Sequence, residues 1–381
     1  MKNEKFFING KEYSSRRVLI IAELGTSHGA DLAKAGELID AAAEAGADCI
    51  KVQIVYAREI LHPNTGEVAL PGGKIRLYDR FRELETTPEF FVNIKEKVEQ
   101  RGLLFLATPF GLESARELRA LEPKCIKIAS PELNFSALLK EIASYRLPAF
   151  LSTGVSKLGD IEKALSIIGA NPAAAQSETV SENSAVCLLH CVTAYPAPET
   201  DYNLRVLKSL RAIFGVPVGV SDHSLDPELV PVLATAMGAV AIEKHFCLSR
   251  SDPGLDDPIA LPPASFAKMV RALRQAEKTE PDALVAGLRR ERGDELVESI
   301  LGDGIKRLAP SEKANYERTN RSIHALRDIQ EGETIDIGMI ASLRTEKILR
   351  PGLPPEWEER IIGRAVRHFI PAGEGIRFED I

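Results

Sequence analysis

The stretch VLIIAELGTSHGADLAKAGELIDAAAEAGADCIKVQ, residues 18–53, holds one complete structural unit. VLIIAE (18–23) is a continuous aliphatic run that ends on a carboxylate. Such a run reads as a strand buried on both faces, which places it in a parallel sheet. DLAKAGELIDAAAEAGA (31–47) carries apolar residues at three-and-four spacing and stops at Gly46, the signature of a helix and its end. CIKVQ (49–53) then begins the next strand.

The unit recurs. Further runs of the same kind are LLFLATP (103–109), CIKIAS (125–130), AFLSTG (149–154), VCLLHCV (186–192), VPVGVSDH (216–223) and VAIEKHF (240–246). Amphipathic stretches fill the gaps at 88–102, 111–122, 132–146, 159–170, 203–215, 225–239 and 263–278. Eight strands, each followed by a helix, predict an α/β (β/α)8 barrel (TIM barrel) rather than an open doubly wound sheet. The barrel is expected to occupy residues 1–280. A charge-rich segment with a weak helical pattern (281–320) reads as a linker. A compact end module is expected at 321–381, where ALRDIQEGETIDIGMI and AVRHFIPAGEGIRFEDI form a weak internal repeat typical of a small β domain. The long, Pro- and Gly-containing connection 54–87 reads as a lid over the active-site face. NPAAAQSETVSENS (171–184) reads as a surface insertion on the opposite face.

Composition narrows the function classes. The 381 residues are 44% hydrophobic and 27% charged, ordinary for a globular protein, so a sizeable core is available. A mean hydropathy of -0.08 and the lack of any long apolar run argue against a membrane span. The segment MKNEKFFINGKEYSSRR has no apolar core of the kind a secretory signal needs. A net charge of -7 argues against a nucleic-acid partner. The five cysteines (Cys49, Cys125, Cys187, Cys191, Cys247) are too few for a disulfide scaffold in a chain this long.

In a barrel the site is built from the C-terminal ends of the strands. Here those ends carry Glu23 and His28; Lys51 and Gln53; Thr108; Lys127 and Ser130; Ser152 and Thr153; His190 and Tyr195; Ser221, Asp222 and His223; and Glu243, Lys244 and His245. One such residue is an ordinary solvated strand end. The set as a whole is not, because buried polar groups are costly unless paired. Side-chain alternation sends Lys51 and Gln53 one way together, and likewise Glu243 and His245. His223 and His245, at the ends of adjacent strands, could share a divalent ion, or could be two hydrogen-bonded histidines. Lys51 and Lys127 with Thr108, Ser130, Ser152 and Ser221 suit an anion such as phosphate or carboxylate. The rival reading makes one lysine a Schiff-base former.

The segment 21–53, with KIAS (127–130), LSTG (151–154), HCVTAYPAPETDYNL (190–204), VGVSDHSLD (218–226) and AIEKHF (241–246), resembles the sialic acid (N-acetylneuraminate) synthase family in order and spacing, spore coat polysaccharide relatives included. The end module is similar to the family's C-terminal antifreeze-like (SAF) domain. The resemblance covers most of 18–381. It implies a metal-dependent transferase that condenses phosphoenolpyruvate with N-acetylmannosamine or a related modified hexosamine, releasing phosphate. It also implies a cytoplasmic homodimer in which the C-terminal domain lies over the partner's barrel.

Carried over by motif, His223 and His245 are the metal ligands for Mn²⁺ or Mg²⁺. Lys51, Gln53, Thr108, Lys127, Ser130, Ser152, Thr193 and Ser221 hold substrate, chiefly phosphoenolpyruvate. Glu23, Tyr195, Glu243 and Asp256 match sugar-site positions, and Arg344 falls where the end module supplies an arginine to the neighbour's sugar site. Glu23, Glu132 and Glu243 are the catalytic carboxylates, with Glu132 near the attacking water. The chain departs from the family pattern at SHGA (27–30), at Thr193 where asparagine is common, and at DPGLDDPIAL (252–261), which keeps Asp256 but lacks a histidine. The family's Arg-Pro-Gly motif aligns with Arg344 or with Arg350. These departures leave the acceptor open among N-acetylmannosamine and precursors of legionaminic, pseudaminic or spore-coat sugars. Two other readings are another phosphoenolpyruvate-condensing keto-deoxy sugar acid synthase, which does not usually carry the end module, and a catalytically silent sugar-binding barrel.

Overall fold

The computed structural model describes residues 4–70, 73–170 and 186–381, so the insertion read at 171–184 lies outside the described residues. A hairpin, β1 (Phe6–Ile8) and β2 (Lys11–Tyr13), opens the chain. The barrel strands are β3 (Leu19–Gly25), β4 (Cys49–Ile54), β7 (Leu104–Pro109), β8 (Ile126–Ile128), β9 (Ala149–Ser152), β10 (Val186–Cys191), β11 (Val218–Asp222) and β12 (Ala241–His245). They run side by side in the order β7-β4-β3-β12-β11-β10-β9-β8, and β7 and β8 come together at the seam. The ladders are parallel throughout. All eight strands expected from the apolar runs are present.

The helices outside the barrel are α1 (Leu32–Glu44), α4 (Pro88–Gln100), α5 (Leu112–Ala120), α6 (Ser136–Tyr145), α7 (Leu158–Ile168), α8 (Val206–Phe214), α9 (Leu229–Ala236) and α10 (Pro263–Ala276). No helix among the described residues is long and apolar enough to cross a membrane. The connection 54–87 has its own structure: α2 (Ala57–Ile60), a hairpin of β5 (Glu67–Leu70) and β6 (Gly73–Arg76), and α3 (Leu77–Glu83).

Strand alternation divides the barrel. One phase (Ile20, Ile50, Ile126, Leu151, Leu188, Val220, Ile242) packs outward on the helices. The other phase points inward. At the closed end it is apolar: Leu19, Ile21, Cys49, Leu106, Cys125, Phe150, Cys187, Leu189 and Ala241 fill the interior. Phe6, Ile8 and Tyr13 of the opening hairpin belong to the same cluster. Two residues further along seven of the strands, the same inward phase becomes polar: Glu23, Lys51, Thr108, Lys127, Ser152, Ser221 and Glu243, all buried, while β10 carries Cys191 there. The site is therefore the upper layer of the barrel's own interior.

The segment expected as a linker is itself helical and packed. It forms α11 (Pro281–Arg292) and α12 (Asp294–Leu301), and Val297, Ile300 and Leu301 join the outer core. The end module follows, with β13 (Arg321–Ala325) antiparallel to β14 (Ile340–Arg344) and a last short helix α13 (Glu358–Ile361). Its two repeated pieces face each other through bridges His324–Gly375, Ile329–Ile370 and Thr334–Ala365. They share one small core that includes Ile323, Ile329, Ile335, Ile340, Val366, Ile370 and Ile376.

Interior packing leaves no room at Gly219 on β11. A Cβ there would lie 2.4 Å from the Ala241 carbonyl oxygen and 2.7 Å from Leu189 Cδ2. The change Gly219→Ala should therefore destabilise the protein by about 3 kcal/mol, measured by urea unfolding, because a close-packed interior resists added volume. A cost under about 0.5 kcal/mol, the range of neutral surface changes, would contradict this packing.

Candidate active site

Six strands send side chains into one buried cluster above the apolar floor. Lys51 Nζ donates to Glu243 Oε1 at 2.8 Å and lies 3.2 Å from Glu23 Oε2. Lys127 Nζ donates to Ser152 Oγ at 2.7 Å and lies 3.6 Å from Glu243 Oε1. Ser221 Oγ donates to Glu243 Oε1 at 2.9 Å, and Gln53 Nε2 donates to Glu23 Oε1 at 2.8 Å. The predicted alternation is what joins Lys51 and Gln53 to a single carboxylate, Glu23. The four charges sum to zero, the condition under which they can be buried together.

The network sets the protonation of its members in different directions. Burial pushes the Glu23 carboxyl up to about 7, against the pull of Lys51. Burial also acts against ionised Glu243, but Lys127 and Lys51 outweigh it and hold that carboxyl below its ordinary range. For Lys51, burial is outweighed by Glu23 and Glu243, so the ammonium is reinforced. For Lys127 burial wins and its pKa falls. Of the two lysines weighed as Schiff-base formers, Lys127 thus holds its proton less firmly.

Several oxygens in and around this cluster are buried with no hydrogen-bond partner among the described residues: Glu23 Oε2, Glu243 Oε2 and Thr108 Oγ1 within it, and Thr193 Oγ1 and Glu132 Oε2 at the mouth. Unpaired buried polar atoms cost about 1–3 kcal/mol each, so a native site that keeps them is built for a ligand. Ser130 Oγ accepts the Gly154 N–H at 3.0 Å. A Cβ on Gly154 would fall 2.1 Å from Thr193 Oγ1 and 2.9 Å from Ser130 Oγ, so glycine lets these two hydroxyls approach the backbone.

Beside this cluster stand the two histidines. The His223 and His245 rings are 5.5 Å apart, and Tyr195 stacks on His223 at 4.2 Å. Asp256 Oδ2 lies 3.9 Å from His245 Nδ1. His223 Nδ1 donates to the Val192 carbonyl at 2.9 Å, which leaves Nε2 with its lone pair free. Burial, followed by the neighbouring His223, lowers the His245 pKa well below its ordinary value and keeps that imidazole neutral. For His223 burial is outweighed by the neighbouring Cys191, and its pKa shifts the other way, upward. Neutral imidazole is the ligand form, so the two nitrogens fit a divalent ion whose binding displaces any proton on His223. Among the described residues no group of three or more His, Cys, Asp or Glu side chains could hold a metal, so further positions would fall to water or substrate.

The end module completes the mouth. Arg344, at the end of β14, donates to Glu132 Oε1 from Nε (3.0 Å) and Nη2 (2.7 Å) and lies over the Phe110 ring. Arg350 instead bonds Asp380 at 2.7 Å and the Gly375 carbonyl at 3.1 Å, inside the module. Of the two candidate arginines, Arg344 is therefore the one at the barrel. In this single chain it reaches its own barrel, where a neighbour's was expected. The residues that lead into the module bring it there: Asn320 Nδ2 donates to Val155 O at 3.1 Å, and Asn134 to Arg321 O at 2.9 Å.

Some strand-end residues fall elsewhere. Asp222 and Lys244 pair with each other at 2.6 Å. They occupy the opposite alternation phase from Ser221 and Glu243. His190 Nε2 donates to the Tyr202 carbonyl (2.6 Å), and His28 packs on Phe90. Two residues had no sequence signal. Glu312 accepts the Val155 and Thr193 N–H groups, both at 3.0 Å, and staples two loops of the mouth. Arg321 donates to the same Glu132 oxygen as Arg344, Oε1, at 3.1 and 2.9 Å.

Comparison with known proteins fits this geometry. Residues 38–283 match the NeuB family model and 320–381 the SAF domain model. The crystal structure of spore coat polysaccharide biosynthesis protein SpsE from Bacillus subtilis superposes with a TM-score of 0.79 at 32% identity, covering 99% of both chains. Pseudaminic acid synthase of Campylobacter jejuni is 33% identical, over 97% of this chain and 98% of that one. The citrate-bound N-acetylneuraminic acid synthetase of Leptospira borgpetersenii gives a TM-score of 0.64 at 30% identity, covering 83% of this chain and 96% of that one.

The Glu23 shift has a sign that can be measured. Its carboxyl rises from an ordinary 4.5 to about 7 in the folded protein. Between those values the folded state holds a proton that the unfolded state has lost, so wild-type stability falls as pH rises through this window. Glu23→Gln removes that titration. Unfolding free energies from urea titrations at pH 5 and pH 8 should shift in favour of the variant by up to about 3 kcal/mol on going to pH 8. Parallel profiles for the two proteins would show that Glu23 is not held protonated.

Proposed function

Since the chain belongs to the NeuB family, we propose that it is a synthase that condenses phosphoenolpyruvate with the open-chain form of N-acetylmannosamine or a related modified hexosamine, yielding a nonulosonic acid and phosphate. The observation that carries the reading is the convergence of Lys51, Lys127 and the hydroxyls of Thr108, Ser130, Ser152, Thr193 and Ser221 on one buried mouth that retains unpaired oxygens. With Glu23 protonated, the Glu23–Glu243–Lys51–Lys127 cluster carries one net positive charge. Such a cluster takes up an anion and offsets the charge of phosphate as it departs.

His223 and His245 would hold a Mn²⁺ or Mg²⁺ ion, which supplies Lewis-acid polarisation of an aldehyde. Tyr195, Asp256 and Arg344 stand around that position and orient the acceptor. The enol carbon of phosphoenolpyruvate forms the new bond to the aldehyde carbon. Positive charge then builds on the carbon bearing phosphate, and a carboxylate stabilises it: Glu132, or Glu23 once it has given its proton to the former aldehyde oxygen. One of these carboxylates takes the proton of the water that adds there. Collapse of the tetrahedral adduct expels phosphate with its bridging oxygen. Thr193, placed where asparagine is common in the family, still brings a hydroxyl beside Ser130. The resemblance supports a homodimer as well. There, the contacts of Arg344 and of its ladder partner Arg321 with Glu132 would both form between two chains rather than within one.

Phosphate release from phosphoenolpyruvate with Mn²⁺ and a panel of hexosamine acceptors tests the reading. At least one acceptor should drive release, and His223→Ala and His245→Ala should each lower it by about a thousandfold or more, the scale of losing one side of a catalytic constellation. Release by neither wild type nor variants with any acceptor would favour a sugar-binding barrel. Full activity in both variants would remove the histidines from the mechanism. Arg344→Ala should raise the acceptor KM by about tenfold, the worth of one charge-assisted pair, and the phosphoenolpyruvate KM far less. Equal rises in both would place Arg344 outside the sugar site.

A further inference from the structure

Arg321 is among the largest fully buried side chains of the protein, and it opens the end module. Its guanidinium donates to Glu132 Oε1 from Nε (3.1 Å) and from Nη2 (2.9 Å). It also donates to the carbonyls of Phe110 (2.6 Å), Ser342 (3.3 Å) and Glu59. Its partners in the barrel lie just beyond β4, β7 and β8, three neighbouring strand ends. No lysine could satisfy them together, because the planar fork sets the directions of the donors.

Arg321 and Arg344 are direct cross-strand partners in the β13–β14 ladder. Like charges placed opposite each other repel. Here a single carboxylate oxygen answers both: Glu132 Oε1 accepts four N–H bonds, two from each arginine. Glu132 Oε2 is buried and has no partner among the described residues. The carboxylate is thus fixed from one side and bare on the other.

We propose that Arg321 is a positioning residue. It holds Glu132 by Oε1 so that Oε2 stays free to act, and through the same oxygen it fixes the Arg344 guanidinium that orients the acceptor. This role rests on the synthase reading of the site. A plain structural bolt between module and barrel is the competing role. Asn134 provides the control, because it clips the Arg321 backbone (Asn134 Oδ1 accepts from Arg321 N at 3.1 Å) without bonding Glu132.

Steady-state kinetics on the full-length enzyme, with the acceptor that supports phosphate release, separates the two. Arg321→Gln should lower kcat by about ten- to a hundredfold and raise the acceptor KM, with the phosphoenolpyruvate KM within about twofold, as misplacement of a reacting group does. Glu132→Gln should abolish most turnover, and the double variant should match Glu132→Gln within about twofold, because residues acting through one group are not additive. Asn134→Ala should keep kcat near wild type. An additive double variant overturns the proposal, as does an Asn134→Ala loss equal to that of Arg321→Gln. If Arg321→Gln alone fails to fold, the double variant compared with Glu132→Gln still separates the two roles. Wild-type enzyme that releases no phosphate with any acceptor rejects the functional reading itself, before any variant is compared, and the proposal falls with it.

Discussion

Charge buried in a protein interior must be paired, and in this barrel Glu243 Oε1 is where the pairing converges. It accepts from Lys51 and Ser221 and lies 3.6 Å from Lys127. The residues that supply these groups hold the same inward phase that, one layer down, fills the barrel with Leu19, Leu106, Phe150 and Leu189. The fold thereby places a charged layer on a dry floor, where electrostatic interactions are strong. It also explains why the layer is internally divided. Glu23 and Glu243 are chemically alike, yet burial raises one while the lysines lower the other. Paired groups pushed apart in this way are the pattern of acid–base sites.

A second carboxylate organises the rim. Glu132 draws Arg321 and Arg344 out of mutual repulsion and so ties the end module to the barrel mouth. Glu312 does related work from the segment between the two, holding Val155 and Thr193 by their backbone N–H groups. The small module, whose own core is modest, gains much of its placement from these buried polar contacts. The ion pairs are weak evidence of net stability, since desolvation offsets them, but they fix geometry.

Much of this was legible in the sequence because it obeys short periods. The eight apolar runs gave the strands, and two-residue alternation put Lys51 with Gln53 and Glu243 with His245. Alternation also marks what does not belong: Lys244 and Asp222 sit between site residues and therefore face away, into their own pair. The rest depends on contacts across long stretches of chain. Arg321 meets Glu132 over a separation of 189 residues, and Glu312 meets Val155 over 157. No local pattern encodes such meetings. The choice between Arg344 and Arg350 likewise follows from where β14 ends, since the ladder register sets Arg344 opposite Arg321 and leaves Arg350 to bond Asp380.

In the proposed reaction water attacks the carbon bearing phosphate, within a mouth that holds both an anion and a carboxylate base. The fate of the bridging oxygen of phosphoenolpyruvate reports on that step. With that atom labelled by oxygen-18 and turnover run in ordinary water, the label is expected to leave in inorganic phosphate, since the carbon–oxygen bond is the one that breaks. Label retained in the sugar acid, as cleavage of the phosphorus–oxygen bond would give, contradicts attack by water at that carbon.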